Sequence, residues 1–165
     1  MFWTRELTVY EQPRVLYKYF AIVQMYGQDS NSDGDVPLYL YYSTSQAVNS
    51  LYSRNLRIPI VHTIVQDDNR DGLPDRFEFS VAMPLSPQES VKRVVILLYY
   101  DVTFSKKAKI NFDAISFLDH ESSLPLAGLH ADGDLLLRQT IPLSSKGGWV
   151  YKLNVIYLYV RYNMQ

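Results

Sequence analysis

Asp67-Asp68-Asn69-Arg70-Asp71-Gly72-Leu73-Pro74-Asp75 gathers four acids, an amide and a glycine into one short stretch. Calcium takes six to eight oxygens around a tight curve, and alternate Asp and Asn side chains supply them while glycine lets the backbone turn. With Asp67 at position one, Asn69, Asp71, Gly72 and Asp75 fall at three, five, six and nine, and Glu78 at twelve. That is the formal spacing of an EF-hand loop. The flanks disagree with it. Helices bracket an EF-hand, yet Arg57–Val65 and Arg76–Val81 both read as strands, and Pro74 withholds an N–H inside the loop. An extended Phe77–Phe79 carries Glu78 about 10 Å beyond Asp75, at roughly 3.3 Å per residue, which is too far to close a cage. Two readings stand. One is a β-flanked calcium loop using Asp67, Asn69, Asp71 and Asp75; the other is an acidic hairpin turn, since Asp-Gly is a favoured turn dipeptide.

Other chemistry is sparse. Asp29-Ser30-Asn31-Ser32-Asp33-Gly34-Asp35 repeats the first positions of the loop, but Pro37 stands where the ninth oxygen should be, so a plain turn is expected there. Ala131-Asp132-Gly133-Asp134 is shorter still and reads as a turn. The histidines are His62, His120 and His130. His120-Glu121-Ser122 has the residue types of a hydrolase, but a triad must converge in space and adjacent residues do not. No nucleophile elbow, phosphate loop, dinucleotide glycine fingerprint or His/Glu zinc pattern occurs. The sequence is therefore expected not to be an enzyme.

The elements that must hold these residues are mostly strands. Tyrosine accounts for 14 of the 165 residues, and aromatic and β-branched side chains suit pleated, half-buried surfaces. Strands are expected over Val15–Tyr26, Leu38–Tyr42, Leu56–Val65, Arg76–Met83, Val94–Phe104, Ala108–Leu118, Leu135–Thr140 and Leu153–Tyr159. Arg76–Met83 alternates, with Phe77, Phe79 and Val81 on one face and Arg76, Glu78 and Ser80 on the other. Val94–Tyr100 is nearly continuous apolar sequence, the pattern of a strand buried on both sides. Helical signals are confined to Ser45–Tyr52 and to the capping-box pattern Ser86-Pro87-Gln88-Glu89. Asp/Gly/Pro-rich turns separate these runs, so the expected fold is all-β: one antiparallel β-sandwich over residues 1–165, with one or two short helices.

Composition excludes several classes. Sixteen basic against 17 acidic side chains leave a charge of −1, so no strong field draws the domain to nucleic acid or anionic lipid. Lys106, Lys107 and Lys109 form a short basic cluster that reads as a solvated turn. Cysteine is absent, which removes disulfides, thiolate metal sites and cysteine nucleophiles together. No stretch reaches the 18 or more apolar residues a spanning helix needs, and no charged segment leads into an apolar one at the start. The sequence by itself is expected to be soluble, without an export signal.

Phe2-Trp3, Tyr10-Glu11-Gln12-Pro13, Leu56-Arg57-Ile58-Pro59 with the Asp67–Asp75 loop, then Gly133-Asp134-Leu135 and Pro142-Leu143-Ser144, occur in one order. That ordered set resembles the ectodomain of the transmembrane protein 231 family, from about Phe2 to Ser145. Residues 146–165 depart from the family pattern. The resemblance implies a non-catalytic scaffold between two membrane spans that this chain does not contain. It implies a place in the ciliary membrane at the transition zone, facing outside the cytoplasm. Its partners would be tectonic and Meckel-syndrome type proteins that gate passage into the cilium and support its formation. Outside the cell calcium is about millimolar, so even a site with a dissociation constant of ~10⁻⁴–10⁻³ M would fill. The alternative function is a free calcium-dependent binding or adhesion module on the same sandwich.

Partner binding needs a surface, and tyrosine supplies apolar area and a hydrogen bond while freezing only two torsions. Tyr39 and Tyr41 share a face of one short strand and are the expected interface; the competing reading places these rings inside the sandwich or along its edge. Tyr151, Tyr157, Tyr159 and Tyr162 cluster near the end of the chain.

Overall fold

A computed structural model describes residues 10–31, 34–106 and 109–133, with the backbone of 149–150 and 157–158. In chain order the elements are β1 (Arg14–Asn31), β2 (Gly34–Ser43), α1 (Gln46–Leu51), β3 (Ile60–Gln66), β4 (Arg76–Ala82), β5 (Glu89–Phe104), β6 (Ile110–Glu121), β7 (Trp149–Val150) and β8 (Tyr157–Leu158). The fold is all-β, with two sheets and one short helix among the described residues. Leu135–Thr140 lies outside the described residues, as do most of Leu153–Tyr159 and Tyr151, Tyr159 and Tyr162.

The two sheets are unequal. Six strands form the larger, in the order β2-β1-β5-β6-β7 with β8 also on β6; β3 and β4 form a separate hairpin. All ladders are antiparallel except those of β7 and β8 on β6. The apolar run Val94–Tyr100 sits in β5, between β1 and β6. Both its edges are paired, with Val94, Val95 and Tyr100 buried and Ile96, Leu97, Leu98 and Tyr99 half-buried, so apolar side chains occur on both faces without strict alternation.

One face of the large sheet carries the core. Val23, Met25, Leu40, Val91 and Val94 form one buried cluster, and Tyr100, Val102, Phe112 and Ala114 a second. Phe79, Val81 and Met83 lie on the first and Phe77 on the second, so the hairpin lids this face with the apolar side of β4. The period-2 pattern of Arg76–Met83 therefore does what alternation in a half-buried strand does. Tyr17 joins the layers, with ring centroids 4.8 Å from Phe77 and 5.9 Å from Tyr100.

Two local expectations change, and the expected helix forms. The strand expected from Leu56 begins at Ile60. Leu56 instead bridges Tyr41 in parallel, because this segment runs along the open edge of β2. Pro59, which has no N–H to give a ladder, marks the break. The helix expected over Ser45–Tyr52 forms as α1 with Ser45 at its N-cap position. The Ser86–Glu89 box forms only a turn, with the Glu89 N–H donating to the Ser86 carbonyl at 3.0 Å.

Candidate functional site

The Asp67–Asp75 loop joins β3 to β4, whose ladder closes with Gln66 opposite Arg76. Its conformation needs two left-handed residues, Arg70 at φ 58° and Gly72 at φ 84°. Gly72 adopts that region without a Cβ penalty, while Arg70 needs local support. The acids supply it. Asp67 accepts the Asp71 N–H through Oδ1 at 3.2 Å and the Gly72 N–H through Oδ2 at 2.9 Å. Asn69 Oδ1 accepts the Asp71 N–H at 2.9 Å, and Asp71 Oδ1 accepts the Leu73 N–H at 2.8 Å. Asp75 closes the loop by accepting the Asp68 N–H through Oδ2 at 2.9 Å, and its own N–H donates to the Gln66 carbonyl at 2.9 Å.

Gln12, from the segment ahead of β1, donates to Asp75 Oδ1 at 3.2 Å. That bond, followed by the Asn69 and Asp68 amides, holds the Asp75 carboxyl below the usual carboxylate range. Asp67, Asn69, Asp71 and Asp75 are thus brought to one turn, and each has an oxygen committed to a loop amide. Among the described residues, no three His, Cys, Asp or Glu side chains are grouped as a metal ion requires. Glu78 lies on β4 opposite Ile64 and is exposed, on the side away from Phe77 and Phe79.

The tyrosine pair divides. Tyr41 is 2% exposed and is not part of an open surface, which corrects the expectation for that residue. Its N–H donates to the Asn55 carbonyl at 2.8 Å and its carbonyl accepts the Arg57 N–H at 3.0 Å. The chain from Tyr52 to Arg57 covers it, with the Tyr52 ring 4.7 Å away. Tyr39 is half-buried and stacks on Tyr26 of β1 at 4.9 Å between ring centroids. Burial first, then Tyr26, pushes the Tyr39 phenol up to about 12.

Tyr26 was not singled out by sequence, since no local pattern pairs it with Tyr39. Register does, for Tyr26 stands opposite Tyr39 on one side and Arg93 on the other. The Arg93 guanidinium lies 5.7 Å from the Tyr26 ring centroid and forms a two-pronged pair with Asp119 at 2.8 and 2.6 Å. The result is a planar strip of two stacked phenols and an aromatic-facing cation, on the sheet face opposite the β4 lid. A second missed group is the pair of Arg57 with Glu89, whose carboxylate also accepts the Ser86 N–H at 2.7 Å.

Of the histidines, His62 and His130 are exposed, and His130 meets Asp132 at 3.1 Å. His120 and Glu121 follow each other along β6 and so project to opposite faces, which leaves no triad at His120-Glu121-Ser122.

The family model for transmembrane protein 231 matches residues 1–160. The chain belongs to the transmembrane protein 231 family. Relatives of that name include those of Xenopus tropicalis, 30% identical over 94% of this chain and 48% of the relative, and Homo sapiens, 33% identical over 88% and 45%. The Gallus gallus relative is 32% identical over 84% of this chain and 42% of its own length. This chain thus spans about half the length of the curated relatives it matches. No solved structure matches it. Membership makes it a transmembrane-family protein, and no helix among its described residues is long and apolar enough to cross a membrane. The Leu56–Pro59 stretch has a physical role here: Arg57 within it ties the β2 edge to the start of β5 through Glu89.

Proposed function

We propose that this chain is the non-catalytic scaffold ectodomain of a transmembrane protein 231-type protein, acting in the ciliary transition-zone membrane complex. In this role it helps control passage of membrane proteins into the cilium and supports cilium formation, with tectonic and Meckel-syndrome type proteins as partners. It faces outside the cytoplasm, and membrane residence comes from spans that lie outside this chain. Family membership across residues 1–160 carries the reading. The Tyr26–Tyr39–Arg93 strip supports it, because rigid aromatics and arginine are the side chains that binding surfaces favour.

The test is capture of partners from ciliary membranes by wild type and by a Tyr26→Ser, Tyr39→Ser variant, each with its thermal melt. Lost partners with an unchanged melt support the surface. Retained partners with an unchanged melt remove it. Tyr41→Ser is the control for a core change, expected to lower the melt because Tyr41 is enclosed.

A further inference from the structure

Among the described residues strand β3 pairs with β4 alone, so one of its edges has no strand partner there. Edge strands ordinarily carry charges, prolines or bulges that discourage pairing with another chain. Ile60–Gln66 contains none of these: it has no Asp, Glu, Lys, Arg or Pro, and its register against β4 runs without a bulge. Ile60 and Ile64 are 64% and 48% exposed, and Val65 55%.

Charge is placed at the two ends of this strand and not within it. From Val36 to Gln66 the only charged side chains are Arg54 and Arg57, both ahead of β3, whereas Asp67, Asp68, Asp71 and Asp75 follow it against Arg70 alone. Such a strand is complementary to itself when antiparallel. With Thr63 on a two-fold axis, Val61 meets the other copy's Val65, and His62 meets its Ile64. Beyond the strand, the acidic loop of one copy comes beside the Ile58–Pro59 end of the other, the end ahead of which Arg54 stands; Arg57 stays paired with Glu89. Parallel pairing would instead set acid beside acid.

We propose that the free edge of β3 is a homodimer interface, in which two copies pair antiparallel about Thr63. The two hairpins then form one four-stranded sheet, β4-β3-β3-β4, with the same patch used on both sides, as a two-fold interface demands. Thr63 is exposed in the single chain, so it tolerates substitution, but in the dimer it stands opposite its own copy.

Sedimentation equilibrium of the 165-residue chain tests this, with wild type, Thr63→Lys, Thr63→Glu and an equal mixture of the two variants. Concentrations should reach about 100 μM, because an interface at the small end of the stable range associates weakly. The expected result is a wild type that moves from one chain mass to two, and single variants that stay at one, since like charges directly opposite destabilise a strand pair. The mixture regains the doubled mass. A monomeric wild type overturns the proposal and leaves the edge to a strand from another protein; so does a Thr63→Lys variant that dimerises as wild type does. Hydrogen exchange of wild type alone gives a second reading, free of any folding defect. The β3 amides gain protection as concentration rises, and concentration-independent exchange overturns the proposal.

Discussion

At the Asp67–Asp75 turn the acids act first on the backbone. Removing Asp67 leaves the Gly72 amide without its side-chain acceptor and the Asp71 amide with Asn69 Oδ1 alone, so Asp67→Ala should cost about 1 kcal/mol, read as a lower melting temperature. That loss is expected with or without metal. If the loop is the calcium site that its spacing allows, a separate expectation follows: millimolar calcium raises the melting temperature of wild type and not of Asp71→Ala, by mass action on the folded state. Equal melts in calcium and in chelator leave these oxygens with their amides alone. Glu89 offers a pH test. Arg57, and then the Ser86 amide, hold its carboxyl below the usual carboxylate range. A depressed folded value means the group stabilises the protein above its unfolded pKa, ~4.3, and that contribution disappears as pH falls through the folded value. The pair is part-buried, with the Arg57 side chain 30% exposed, so Glu89→Gln should cost about 1–2 kcal/mol at neutral pH, between an exposed ion pair and a fully enclosed one. Melts of both proteins from neutral pH downward should converge only once pH has fallen through the depressed folded value of Glu89; a gap that stays constant would remove the pair from the acid response.

Elements here are decided by neighbours as much as by their own residues. Ser86-Pro87-Gln88-Glu89 carries a helix-starting pattern, and one half of the box does form, since Glu89 reaches back to the Ser86 N–H. The following residues, Ser90 and Val91, are taken by the ladder to Gln28 and Gly27, so the turn opens a strand instead. Gly27 sits in that ladder at a register shift after Tyr26. A Cβ there would stand 1.7 Å from the Ser90 carbonyl oxygen, a backbone atom that cannot move alone. Gly27→Ala should therefore cost at least the ~1–3 kcal/mol of ordinary overpacking, and part of the β1–β5 ladder must shift. Equal melts of the variant and wild type would show that the two strands lie farther apart.

The whole molecule is a large sheet with a small lid. β1 and β5 are central in it and flanked on both sides, whereas the β3–β4 hairpin holds on through Phe77, Phe79, Val81 and Met83. Local opening follows contact density, so amides of β1 and β5 should exchange at the rate of global unfolding and those of β3 and β4 sooner. Hydrogen exchange resolved by segment measures this. Uniform protection across both sheets would mean that lid and sheet open as one unit. A lid that opens first also suits the pairing proposed for β3, because its edge is free of the cooperative sheet behind it.

Sequence by itself determined the strand periods, the all-β class, the position of α1, the turn at Asp-Gly and the family resemblance. Each of these rests on near neighbours: alternation over a few residues, a glycine where φ turns positive, an ordered set of short motifs. The alternation of Arg76–Met83 and the buried run Val94–Tyr100 were legible for that reason. Tertiary structure alone decided which faces meet. Tyr39 and Tyr41 share a face by period, yet the chain from Tyr52 to Arg57 folds over Tyr41 and leaves Tyr39 to stack on Tyr26. Arg57 finds Glu89 32 positions away, and Arg93 finds Asp119 26 away, distances at which no pattern in the sequence announces a partner. Burial and pairing depend on which element lies alongside, and that is settled only when the sheet order β2-β1-β5-β6 brings distant segments into register.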